Sequence, residues 1–141
     1  MSARTTSIWL RADIEEALAA RGGSRSEVVS RDLMRLYDLY RHELAEVNLT
    51  ASEAGLIVDV LNGTLITDAG QARLLWAEVE DGIKLDHLDE KWHVDGPALV
   101  EKLRGLRLSQ ALAIVDAAER FWAAVAAGKE PKVEDYLPVR S

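Results

Sequence analysis

Asp86, His87, Asp89, Glu90, His93 and Asp95 form the densest group of side chains in this chain that could do chemistry. On a single helix Asp86, Glu90 and His93 share a face, because residues three and four apart are neighbours. Carboxylate and imidazole donors on one face can hold a divalent metal. The donor types are mixed and no second ligand motif joins them, so the run reads as a solvated acidic face above Leu85, Leu88 and Trp92, with no metal or other cofactor. Trp76, Trp92 and Trp122 fall at helical spacing and read as core side chains rather than a ligand cage. His42 sits on a polar helix face and takes no assigned role. No Gly-x-Ser-x-Gly elbow or phosphate-binding glycine loop occurs, and no histidine stands beside an obvious nucleophile. Asp89 and Glu90 are adjacent carboxylates with no sign of a protected pocket. The chain is not expected to be an enzyme.

The elements that would position a binding surface are clearest between Thr5 and Tyr40. From Thr6 to Leu10, Ile8 and Leu10 lie on one side of an extended chain, with Thr5, Ser7 and Trp9 on the other, since strand side chains alternate with period two. One strand is unstable alone because its backbone groups need a partner. No second strand-like run follows nearby, so the expected partner is the same strand of a second copy. Asp13 opens a helix through Ile14, Ala17 and Leu18, stopped at Gly22-Gly23, where glycine tolerates the left-handed conformation. Ser24 and Glu27 have capping-box spacing. The helix they start is expected to run to about Val47, with Val28, Val29, Leu33, Leu36, Tyr37, Leu39, Tyr40, Leu44 and Val47 covering more than one stripe. Such a helix suits packing against both its own chain and a partner; a buried helix in a monomeric bundle is the alternative.

This order resembles the ribbon-helix-helix family of DNA-binding proteins over residues 4 to about 44, most specifically at Gly23-Ser24-Arg25-Ser26-Glu27-Val28-Val29. The resemblance implies that two chains pair their strands into a ribbon that enters the major groove. It places base contacts at Thr5, Ser7 and Trp9, and phosphate contacts at the turn formed by Ser24, Arg25 and Ser26. A helix N-terminus offers free N–H groups and partial positive charge to an anion, and Arg25 adds a fork of donors. Arg4 and Arg11 bracket the strand and extend the phosphate-contacting set. Trp9 departs from the family, where polar or basic side chains are usual. Its single N–H cannot make a bidentate base pairing; it would press on a thymine methyl or mark a ribbon turned to protein binding.

Charge is divided unevenly. Residues 1–45 carry seven Arg, no Lys and seven acids, so the whole net charge of -7 resides in residues 46–141. A DNA footprint would therefore be local, with the acidic remainder facing away. With 141 residues, the chain allows one ordinary domain or a small dimeric module plus a helical domain. A hydrophobic content of 48 % supplies a core, and the absence of cysteine excludes disulfides and thiolate metal sites. No apolar run has the length of a membrane span or the form of a signal peptide, and a cytoplasmic location is expected.

Beyond Asn48 the pattern is helical throughout. Thr50 and Glu53 form a second capping-box pair before Leu56, Ile57, Val60 and Leu61, with a stop at Asn62-Gly63. Thr67 or Asp68 caps one helix through Leu74, Leu75, Trp76, Val79 and Ile83. A short helix covers about Asp86 to Trp92. Gly96-Pro97 starts another through Leu99, Val100 and Leu103. Ser109 caps a last long helix with Leu112, Val115, Ala118, Phe121, Trp122 and Val125 buried. From Gly128 the chain reads as a loosely held tail.

The expected fold is thus mainly α: a ribbon-helix-helix module over 1–47, with one short β-strand paired across a dimer and two helices, then an acidic helical domain over 48–127 and a tail over 128–141. The expected function is sequence-specific binding of double-stranded DNA by a homodimer, as a transcriptional or plasmid-maintenance regulator whose helical domain takes a protein partner or effector. The alternative is a non-enzymatic protein-interaction module on the same dimer scaffold.

Overall fold

The computed structural model of the chain describes residues 11–140. Two compact units divide it, Met1–Asp38 and Leu39–Ser141. Among the described residues the secondary structure is helical: α1 (Ala12–Ala19), α2 (Arg25–Ala45), α3 (Ala51–Val60), α4 (Ala69–Arg73), α5 (Leu75–Asp86), α6 (Leu88–Trp92), α7 (Gly96–Arg104) and α8 (Leu108–Ala126), then a 3₁₀ turn at Val133–Asp135. The expected fold class is corrected accordingly. No β-strand occurs among these residues, and the one extended pairing is the single parallel bridge between Thr50 and Arg140. Residues 6–10, where the alternation places a strand, lie outside the described residues. Within the described residues the physical reason is that from Ala12 onward the Glu- and Ala-rich sequence enters a helix directly.

In the first unit α1 buries none of its residues. Gly22 and Gly23 both adopt positive φ, 72° and 82°, and turn the chain into α2. The Ser24 hydroxyl accepts from the Glu27 N–H at 3.2 Å, the cap that the sequence places there. Val28 is buried, whereas Leu33, Met34, Leu36 and Tyr37 are exposed. The boundary between the two compact units falls inside α2, after Asp38.

The second unit has a continuous core. Leu49, Leu56, Ile57, Val79, Leu99, Ile114 and Leu137 are almost wholly buried in it, and Leu44 and Val47 join them from the end of α2. The Thr50–Glu53 capping box forms in both directions: the hydroxyl accepts from the Glu53 N–H at 3.2 Å, and Glu53 Oε1 accepts from the Thr50 N–H at 2.9 Å. The single helix expected from Asp68 onward is two. Asp68 caps α4, but Leu74, at φ -97° and ψ 18°, leaves helical geometry before α5 begins. The break lets α4 lie on α8 while α5 lies on α7 and α3. Asp95 caps α7, with Pro97 in its first turn. Arg107 rather than Ser109 holds the N-cap position of α8, where its N–H donates to Gln110 Oε1 at 2.9 Å.

The segment after Gly128, expected as a loose tail, is packed. Leu137 is 1 % exposed, Tyr136 lies edge-on to Phe121, and the Arg140 N–H donates to the Leu49 carbonyl at 2.9 Å. Its Val133, Leu137 and Val139 supply apolar surface that a purely compositional reading of a Pro-containing end overlooks.

Candidate nucleic-acid interface

The residues assigned to DNA divide by location. Arg4, Thr5, Ser7 and Trp9 lie outside the described residues. Arg11, Ser24, Arg25 and Ser26 lie in the first unit and are exposed. Ser24 and Ser26 flank the first turn of α2, where the backbone N–H groups of a helix start point outward. Arg25 does not stand apart from acids: its Nη1 lies 2.9 Å from Glu15 Oε1 on α1. Arg11 is paired in the same way with Asp13 at 2.6 Å, and Arg21 with Asp32. These pairs hold Asp13 and Asp32 below the ordinary carboxylate range, the hydrogen bond from arginine being the main cause in each. Along α2, Arg31, Arg35 and Arg41 form no ion pair with any described residue. Local electrostatics thus leave part of the arginine set committed to neighbouring carboxylates and part to solvent.

The other face of α2 carries the plainer signal. Leu36 and Tyr37 lie three and four residues after Leu33, the three having 37 %, 45 % and 43 % of their surfaces exposed, and Met34 beside them reaches 70 %. Residues so spaced form one contiguous apolar stripe. Scattered exposed leucines are ordinary, but a contiguous group marks an interaction surface.

The acidic run that suggested a metal does not assemble one. Asp86 ends α5, His87 turns into the left-handed region at φ 52°, and His93 does the same at φ 54° after α6. Asp86, Glu90 and His93 therefore never share a helix, and no cluster of potential metal ligands occurs among the described residues. The three tryptophans are likewise separate. The Trp92 indole N–H donates to Asp59 at 2.9 Å, the Trp122 N–H donates to the Val58 carbonyl at 2.8 Å, and Trp76 lies under the Arg104 guanidinium at 4.2 Å.

Polar anchors missed in the sequence sit in the second unit. Lys102 Nζ donates to both Glu53 oxygens, at 2.8 and 2.9 Å, and to the Asn48 carbonyl at 2.9 Å. Burial pushes the Glu53 carboxyl up, but the bonds from Lys102 and Thr50 together outweigh it and leave the group below its ordinary range. Asp59 behaves alike: burial raises it, and bonds from Lys91 and Trp92 bring it lower. Arg107 reaches Glu43 at 2.9 Å and Glu46 at 2.5 Å. These pairs span 32 to 64 residues of sequence, so no local spacing could reveal them.

Among the described residues, surface cavities open in this unit, three of which bear on binding. One, between α3, α5 and α6, is lined by Asp59, Glu78, Asp81 and Asp86 with Lys91. A second runs between α5 and α7 beside Glu80 and Glu101. The third contains two arginines, Arg73 and Arg104, and no carboxylate. Among the described residues no helix is long and apolar enough to cross a membrane. Comparison with protein families, with curated proteins and with solved structures finds no match to this chain.

Proposed function

We propose that this chain is a homodimeric DNA-binding regulator. In this reading α2 pairs with a second copy, the start of α2 and Arg25 hold phosphates, Thr5, Ser7 and Trp9 face the bases, and the acidic helical unit takes a protein partner or effector. The observation that carries the dimer is the stripe Leu33–Leu36–Tyr37 with Met34, exposed on the described part of α2. A stable interface needs roughly 800 Å² from each partner with an apolar centre, and a long helix with such a stripe is suited to supply that centre. Support for DNA comes from the Gly23–Val29 sequence, from the exposed helix start at Ser24–Ser26, and from an arginine set without lysine.

A second reading has its own observation. Arg11, Arg21 and Arg25 are each bound to an acid within the unit, which lowers the charge offered to a phosphate backbone. This favours a dimeric protein-interaction module. Salt separates the two. Neutralising phosphates releases counterions, so duplex affinity should fall by about one log unit per contact for each tenfold rise in salt. Anisotropy of a labelled random duplex at two salt concentrations reads this directly. A steep slope, reduced by about one unit in Arg25→Ala, supports the DNA reading. Absence of duplex binding at low salt, with a dimer still present, leaves the interaction module.

A further inference from the structure

The geometry points to the third cavity of the helical unit as a binding site for a small organic acid, with its anionic head between Arg73 and Arg104 and its apolar part on Leu106 and Leu108. This inference stands apart from the DNA reading and uses no residue of α1 or α2. The cavity, about 300 Å³, is lined by Arg73, Leu103, Arg104, Leu106, Leu108 and Ala111. That volume is at the small end of ligand pockets and suits a molecule well below drug size.

Charge sets this cavity apart. The unit that contains it carries the excess of acid in the chain, and the other two cavities described both include carboxylates, four with Lys91 in one and two with Lys84 and Arg104 in the other. Here two guanidinium groups line one opening with no carboxylate among the walls. Arg73 makes no hydrogen bond or ion pair with any described residue, so its five donors are available. Arg104 is held in place. Its guanidinium stacks on Trp76 at 4.2 Å, and it contacts Glu101 at 3.2 Å and Glu80 at 3.9 Å, which line the adjoining cavity between α5 and α7. Stacking orients the planar fork, whose Nη1 donates to Glu101 and whose Nη2 faces Glu80, so Arg104 supplies fixed positive charge and Arg73 the uncommitted donors for an incoming anion. Arginine binds carboxylate and phosphate in paired, charge-assisted hydrogen bonds, the strong kind. Leu103 and Ala111 are buried and floor the cavity, whereas Leu106 and Leu108 are only half-buried and offer apolar surface beside the cationic edge. An anion with a short alkyl or aryl tail satisfies both halves. A bare anion uses only one, and a neutral alcohol only the other.

The test uses the full chain with four probes in calorimetric or NMR titration: hexanoate, hexyl phosphate, hexanol and inorganic phosphate. Hexanoate or hexyl phosphate should bind with a dissociation constant of about 1 mM or tighter, and the tighter of the two names the acid group preferred. Hexanol and inorganic phosphate should each be at least about tenfold weaker, equivalent to about 1.4 kcal/mol. Arg73→Gln should weaken the acid by at least tenfold with an unchanged melting temperature, since Arg73 holds nothing else in place, and Arg73→Lys should recover part of the loss. Binding should shift Trp76 resonances through Arg104. The inference is overturned if neither acid binds below about 10 mM, if Arg73→Gln binds as the parent does, or if inorganic phosphate binds as tightly as hexyl phosphate.

Discussion

A single missing methyl decides how α6 meets α3. A Cβ built on Gly55 would stand 2.4 Å from Trp92 Cζ3, which no side chain tolerates. Gly55→Ala should therefore expel the indole, break its bond to Asp59 and cost about 1–3 kcal/mol as an overpacking change; urea unfolding followed by tryptophan fluorescence measures it. Glu53 governs acid stability by a different route. Its folded carboxyl titrates below the ordinary range, so its stabilising contribution is complete above that range and disappears as pH falls through the lowered value. Melting temperatures at pH 6 and pH 3 should fall further in the parent than in Glu53→Gln, in which Lys102 has already lost its charged partner; equal falls would deny Glu53 this role. Local chemistry was the part most readable from sequence: the caps at Ser24, Thr50 and Asp68 are all made. The putting-together of Asp86, Glu90 and His93 was not, because His87 and His93 adopt a backbone conformation that sequence normally assigns to glycine or asparagine.

Among the elements, periodicity located the helices and tertiary packing moved their ends. The stripe from Leu74 to Ile83 has unbroken helical spacing, and nothing in it announces that Leu74 will bend away so that Ala72 can sink against α8. On α8 the apolar stripe named Val115 and Ala118 but passed over Ala111, Ile114 and Ala117, which are buried because helices close in on more than one side. As a statement of fold class the strand expectation is replaced by an all-helical description of residues 11–140, in which the one extended pairing is the bridge between Thr50 and Arg140. The packed end of the chain makes the sharpest prediction at this scale. Leu137→Ala should destabilise the helical unit by about 2–5 kcal/mol, the range for deleting a fully enclosed leucine, visible as an earlier thermal transition. A change under about 0.5 kcal/mol would mean that residues 133–140 are held loosely after all.

For the whole molecule the proposed self-association is open to direct test. Leu33→Asp with Leu36→Asp should convert a dimer into a monomer in sedimentation at micromolar concentration, because two charges at the centre of an apolar seam cannot be desolvated cheaply. Helicity should persist in the second unit, whose core contains neither residue. A dimer that survives both substitutions removes the α2 seam, and a parent that sediments as a folded monomer removes the dimeric regulator itself. Sequence showed the uneven distribution of charge and the apolar spacing along α2, since both are sums over composition and spacing. It gave no view of the two-arginine cavity, whose walls come from α4, α7 and α8 and meet only on folding.

The bridge between Thr50 and Arg140 also orders events in time. Leu49 lies near the beginning of the helical unit and Leu137 close to its far end, yet both are enclosed in the same core, and the Arg140 N–H closes onto the Leu49 carbonyl. During synthesis, which adds about 5–20 residues each second, a nascent chain must wait several seconds with Leu49 and the flank of α3 uncovered before the segment that seals them has been made. That interval is when a chaperone, or the same segment of a neighbouring nascent chain, competes for the vacancy. Supplying residues 129–140 as a separate peptide to a chain shortened at Gly128 should restore the cooperative transition, turning a delay in time into a binding constant.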